Sequence, residues 1–499
     1  MNTAYSTTIE EPYFFTEATH HFNTLITELQ SEAFSQKEHG DIEQHINQRG
    51  HEVMRRLLQG YFDLLAANEE RAGIVTSNEG KPLNRMRQHT QRTLVSQFGK
   101  VTVTRKSYGQ QNETSQFPLD KHLNLPVDSY SDGVTRLVAQ EALKGSFDNA
   151  VESIDRTTAG HIPKRQSLKL VADVSQDFEA YYRRDRFSLA EDTSDLLVLT
   201  FDGKGVVMRK EGLRECTRKN AEKSNKLKSR LSSGEKKDRK RMAMVAAVYT
   251  VTRHERTAQS VMNIKGEDED VLPFRAPVRN KRVWASLERE AEDVIREAFE
   301  EARQRDPEQK RTWVILIDGL PHQIYLINKV KKELKLEATI VMDFIHVLEY
   351  LWKAAWCFFE KGDSAVEEWV AQRSLKILQG QCSQVAKGIR QSATKRKIDS
   401  RDAVDKCANY LLKNQCRLQY GDALSEGFPI ASGVIEGACR HLINDRLDIT
   451  GSRWSLSGAE AVLKIRSIKS SGDFESYWKF HKDQSKKRLY ENFQIESEK

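Results

Sequence analysis

The sequence has no CxxC pair. Its six cysteines, Cys216, Cys357, Cys382, Cys407, Cys416 and Cys439, are scattered, most of them in helical-looking stretches. That spacing excludes a disulfide framework and a zinc-finger ligand set, and the thiols read as reduced. No apolar run approaches the roughly 18 residues that a membrane span requires. The N-terminal MNTAYSTTIEEPYFF lacks a basic stretch followed by an apolar one, the mark of a secretory signal. A phosphate-binding P-loop is missing too: the GKG at Gly203 to Gly205 leads into VVM, another strand-like run, where a P-loop leads into a helix. The expectation is a cytoplasmic globular protein with no membrane partner.

What is abundant is charge. Charged residues make up 30% of the 499, and the length allows roughly two to four domains with at least one large core. The net charge of +7 is modest but unevenly placed: Arg214 to Arg241 holds twelve Lys and Arg against four acids, a block suited to a polyanion.

Apolar periodicity orders the chain. FNTLITELQSEAF and HEVMRRLLQGYFDLLAANEE read as helices, and QFGKVTVTRKSYG alternates as a strand of a small hairpin. These define an N-terminal region, 1–128. Residues 129–190 follow as helix, Gly-containing turn and helix, the last opening on Lys164, Arg165 and Lys169; this is a helix-turn-helix outline. Then come strands: LLVLTFDGKGVVMRK as the first half of a hairpin, MAMVAAVYTVTR second, TAQSVMNIKG (Thr257 to Gly266) third. A long helix from Trp284 to Asp306 precedes a fourth strand, RTWVILIDGLP, and a fifth, EATIVMDFIHV. Antiparallel strands first and helical crossovers after give an α/β protein with the element order of an RNase H-like domain, 191–363. Helical sequence over 364–424 reads as an insertion, 425–472 returns to the core with long helices, and 473–499 is a polar tail.

An acid after an apolar strand needs a reason, since a buried carboxylate is costly unless paired or bound to a cation. Asp-Gly as a hairpin turn is the plain explanation for Asp202. Asp318 repeats its setting, however: VILIDG matches LVLTFDG. In an RNase H-like sheet the first and fourth strands are neighbours, so the two carboxylates meet. They repel unless a cation lies between them, and hard oxygen donors suit Mg²⁺ or Mn²⁺, two ions about 4 Å apart. Glu436, in PIASGVIEGACRHLI, is the natural third acid. Asp343 also ends an apolar strand, TIVMDF, and is an alternative second ligand. His346 beside it reads either as a core histidine or as a group that touches phosphate or orients a ligand.

The run FDGKG, LIDG, MDFIHVLEYLW and SGVIEGACRHLINDRLDITGSRWS resembles bacterial insertion-sequence transposases of the ISKra type, cousins of the ISLre-type and Mutator-like DDE enzymes. The likeness covers roughly residues 95–470, and its tail motif holds Arg446, Gly451, Arg453, Trp454 and Ser455. It implies a retroviral-integrase-like RNase H domain with a helical insertion and a mainly helical DNA-binding N-terminal region. It implies a catalytic triad of Asp202, Asp318 and Glu436 holding two Mg²⁺ or Mn²⁺ ions. Asp343 and His346 match the family's C/D-x-x-H motif, and Trp454 belongs to its RW pair. Implied partners are double-stranded DNA, as element ends and target, and further copies of the chain on that DNA, at least a dimer, in the bacterial nucleoid. Lys204, Arg440, Arg446, Arg453 and Trp454 join Lys164, Arg165 and Lys169 as expected DNA contacts. A nuclease of the same fold that cuts without joining, or a domesticated DNA-binding protein, would share these residues.

Overall fold

The computed structural model describes residues 13–77, 79–185, 190–191, 193–223, 239–262, 276–360, 362–449, 451–491 and 495–496. Most of the basic block after Lys223 therefore lies outside the described residues. The chain forms two compact units, Met1–Tyr181 with Glu475–Lys499, and Tyr182–Phe474.

In the first unit, helices α1 (Thr16–Leu29) and α2 (His39–Ala67) precede a hairpin of β1 (Arg85–Ser96) and β2 (Gly99–Gly109). Phe62 of α2 packs with Leu94, Val101 and Val103 on the inner face of that hairpin. Three helices follow: α3 (Asp132–Glu141), α4 (Phe147–Thr157) and α5 (Lys164–Ser175). Ser131 and Ser146 cap α3 and α4 by accepting from Val134 and Asn149 N–H. Thr158 accepts from Gly160 N–H in the turn before α5. The polar sequence after Asp473 is a helix, Phe474–Tyr490, with Tyr477 and Phe480 buried. In the first unit it supplies His481 and Arg488 to the buried Asp177. Burial alone would raise the Asp177 carboxyl; these two donors outweigh it and hold it low.

The second unit is built on a mixed five-stranded sheet: β3 (Leu196–Val207), β4 (Lys240–Val251), β5 (Val278–Ser286), β6 (Trp313–Ile317) and β7 (Thr339–Met342). Its spatial order is β5-β4-β3-β6-β7. β3, β4 and β5 pair antiparallel, whereas β6 and β7 run parallel to β3. The central strands are apolar on both faces, as a sheet covered by helices requires. Helix α6 (Ala291–Arg305) buries Val294, Ile295, Ala298 and Phe299. Helices α7 (Pro321–Leu334) and α8 (Phe344–Ala355) follow β6 and β7. Three more, α9 (Ala365–Leu378), α10 (Cys382–Lys395) and α11 (Asp402–Lys413), occupy the expected insertion. The short α12 (Gly433–Ala438) and α13 (Leu456–Ser471) return to the sheet. There the buried Glu460 of α13 accepts from Ser286 Oγ and Leu287 N–H, both at 2.7 Å.

Two expectations are corrected here. The third strand is Val278–Ser286; the segment assigned to it forms a short helix, Ala258–Met262, and 263–266 lie outside the described residues. Trp284 accordingly sits in β5, and the long helix begins at Ala291. Nor does Asp202-Gly203 turn the chain: β3 runs straight through it and pairs with β4 as far as Val207 opposite Lys240.

The strand was hard to recognise because it carries a buried cation. Arg282 is 2% exposed, stacks 4.3 Å from the Trp284 ring and bonds Glu297 at 2.5 Å and Glu301 at 2.7 Å. Glu301 also takes Arg305 at 2.5 Å. Removing one partner of a buried ion network leaves an uncompensated charge. Glu301→Ala is expected to destabilise this unit by about 3–5 kcal/mol, read as a lower urea midpoint.

Candidate active site

The acids lie where β6 and β7 end, beside the middle of β3: Asp202 within β3, Asp318 after β6 and Asp343 after β7. β6 pairs with β3 only as far as Leu316 opposite Thr200. Asp202 and Asp318 each come two residues after that last pair, and both are part-exposed. This answers why an acid interrupts an apolar strand: the sheet is fully buried up to Phe201 and opens at Asp202. One Asp202 oxygen accepts from Gly203 N–H at 2.6 Å and the other from the Cys439 thiol at 3.1 Å. Asp318 accepts from Leu320 N–H at 3.0 Å. The glycine after it is obligatory. Gly319 has φ +95°, and a Cβ there would overlap Met342 and crowd Tyr410.

Asp343 lies at the end of β7, 1% exposed. Its Oδ1 caps α8 by accepting from Ile345 N–H at 2.8 Å. Its Oδ2 accepts from Ser432 N–H at 3.0 Å and from the Ser432 hydroxyl. Ser432 is the N-cap of α12, so Asp343 fixes the turn that delivers Glu436. Carboxylate and imidazole atoms of Asp343, His346 and Glu436 lie within 4.8 Å of one another. Burial, then the charge of Asp343, with Asp202 also contributing, pushes the Glu436 carboxyl above its ordinary range; His346 pulls it the other way. A carboxylate so crowded by other acids is a group that a cation would relieve.

The inserted helices brace the same place. Tyr410 of α11 donates to the Asp318 carbonyl at 3.1 Å and stacks on Tyr350 of α8, centroids 4.1 Å apart. Tyr420 donates to the Met342 carbonyl at 2.8 Å. Burial raises both hydroxyls, so they stay donors at neutral pH. Neither tyrosine carries a signal in sequence. Cys439 does: it follows Glu436 by three residues and so lies on the same helical face.

Among the expected DNA contacts, Lys204 is part-exposed and lies close enough to the Cys439 thiol to act on it electrostatically. Arg440 and Arg453 are exposed. Arg165 is exposed on α5, while Lys164 and Lys169 there pair with Asp148 at 2.5 Å and Asp128 at 2.8 Å. Arg446 and Trp454 are corrected. Arg446 is 1% exposed with its guanidinium 4.7 Å from the Trp454 ring, and burial lowers its pKa to about 10. Trp454 Nε1 donates to the Leu447 carbonyl at 3.1 Å, and its backbone pairs with β3 through Val207 and Arg209. Arg446 and Trp454 form an internal clamp, while Arg453, the arginine of the RW pair, is exposed.

The group that could hold a cation is Asp343, His346 and Glu436: two carboxylates, one from a strand end and one from a helix, and one imidazole nitrogen, with the glutamate raised. Among the described residues, no helix is long and apolar enough to cross a membrane. No protein-family model matches the chain, and no curated protein matches it.

Proposed function

We propose that the protein is a DDE-type transposase, which binds the double-stranded ends of an insertion sequence and carries out cation-dependent strand cleavage and transfer. The observation that carries this reading is the gathering of acids beside the sheet: Glu436 lies with Asp343 and His346 and feels the charge of Asp202, and Asp318 directly follows β6. Support for an RNase H-like core comes from the strand order, third-second-first-fourth-fifth, with only the first three antiparallel.

In this reading Asp202, Asp318 and Glu436 hold two Mg²⁺ or Mn²⁺ ions, which when bound activate the attacking oxygen and neutralise the leaving one. Asp343 positions Glu436 through Ser432 and, lying with His346 and Glu436, is also the alternative ligand. His346 sits where it orients Glu436 or meets a phosphate oxygen. Lys204, Arg440 and Arg453 hold the DNA backbone in the second unit; Lys164, Arg165 and Lys169 are DNA contacts of the first. No covalent enzyme intermediate and no nucleotide cofactor are required. At least two copies act together, since two element ends must be joined to one target.

The test is nicking of a duplex made from the DNA that flanks the gene. Cleavage with Mg²⁺ and none in EDTA is expected; cleavage that ignores the cation overturns the reading.

A further inference from the structure

We propose that Cys439 is a positioning residue of the acid centre, holding the Asp202 carboxylate and the Glu436 helix in register through a thiol–carboxylate hydrogen bond. The inference rests on the reading of Asp202 and Glu436 as cation ligands. Two observations carry it. Cys439 Sγ lies 3.1 Å from Asp202 Oδ2, and Asp202 Oδ1 is turned back to its own Gly203 N–H at 2.6 Å. Each oxygen thus has one donor, and Cys439 supplies the one that comes from another element. Cys439 is 5% exposed and follows Glu436 by one helical turn, so the thiol ties the strand that bears one acid to the helix that bears another.

Another link to Glu436 comes from elsewhere: Ser432 is held by Asp343 at the end of β7. The Cys439 contact reaches β3. Without it, Asp202 keeps its neighbour's N–H but loses the partner that sets its rotation, and the distance between the two carboxylates is no longer fixed. A centre whose ligands come from separate elements depends on such supports for its affinity, which falls ten- to a hundredfold when they are removed. Thiols are weak donors, so a hydroxyl in the same place substitutes well, and an apolar side chain of the same size does not.

The test uses the full chain and Mn²⁺ as the probe. Mn²⁺ binding is followed by electron paramagnetic resonance, and the Mg²⁺ concentration for half-maximal duplex cleavage is measured alongside. Cys439→Ser is expected within about threefold of wild type in both, and Cys439→Val about tenfold weaker in both, in line with loss of an outer-shell support. Melting temperature and duplex affinity serve as controls on folding and should be unchanged. The opposite ranking, with Val preserving affinity and Ser losing it, makes the role one of packing and overturns the proposal. Equal affinities in all three proteins also overturn it. Because Mn²⁺ binding is read without catalysis, a wild type whose Mn²⁺ affinity depends on Cys439 as predicted but that cuts no DNA sinks the transposase reading and leaves this one standing. A wild type that binds no Mn²⁺ sinks both.

Discussion

Asp202→Asn, Asp318→Asn and Glu436→Gln each lower Mg²⁺-dependent cleavage about a thousandfold or more, the equivalent of roughly 4 kcal/mol of transition-state stabilisation. Duplex affinity changes little, because these acids would repel phosphate, not attract it. The three losses are not additive: once one ligand is gone the centre no longer holds its cations, and a double variant is scarcely worse than a single one. The ordering of the aspartates is the informative part. Asp318 is part-exposed, with one oxygen committed to Leu320 N–H. Asp343 is buried, holds α8 and Ser432, and lies with His346 and Glu436. On the proposed assignment Asp318→Asn shows the full loss of about a thousandfold. If Asp343→Asn is the variant that does so while Asp318→Asn remains active, the ligand assignment moves to β7 and the enzyme class stands.

Asp343→Ala has the largest expected effect on stability at the site. It removes the cap of α8 and strands two donors of Ser432, at a cost of about 2–4 kcal/mol. The consequence for function passes through Glu436, whose backbone N–H bonds the Ser432 carbonyl at 3.3 Å. The Mg²⁺ concentration needed for half-maximal cleavage should rise about tenfold, as it does when second-shell partners of a metal site are lost. Ser432→Ala removes the same hydrogen bond from the other side. The two substitutions share one interaction, so together they should cost clearly less than their sum. Full additivity would show that Asp343 acts on the site by another route.

Much of the sheet was legible because its strands are apolar on both faces and end abruptly. VILIDG and LVLTFDG announce both their burial and the point at which it stops. The third strand was not, because VRNKRVWAS begins with exposed residues and hides Arg282 in its core through acids on α6. Single-sequence periodicity cannot see a distant counter-charge. The same limit explains Arg446 and Trp454: an arginine and a tryptophan eight residues apart in a basic motif read as a nucleic-acid surface, and only tertiary packing reveals a buried stack. Asp343 was recognisable as a site residue but not as a tether, since its partner Ser432 lies far along the chain beyond the inserted helices. Tyr410 and Tyr420 arrive from that insertion and bond only to backbone carbonyls, which leaves no pattern in sequence.

The most direct measurement is a strand-transfer assay. A labelled duplex from the DNA flanking the gene, with a free 3′-hydroxyl at the element end, is incubated with the protein, a supercoiled plasmid and Mg²⁺. The account predicts label joined covalently to plasmid by the wild type and none by Asp202→Asn. Nicked duplex without joined product would make the protein a nuclease of the same fold. Retained duplex that is never cut, with Mg²⁺ or with Mn²⁺, would contradict the account and leave a DNA-binding protein.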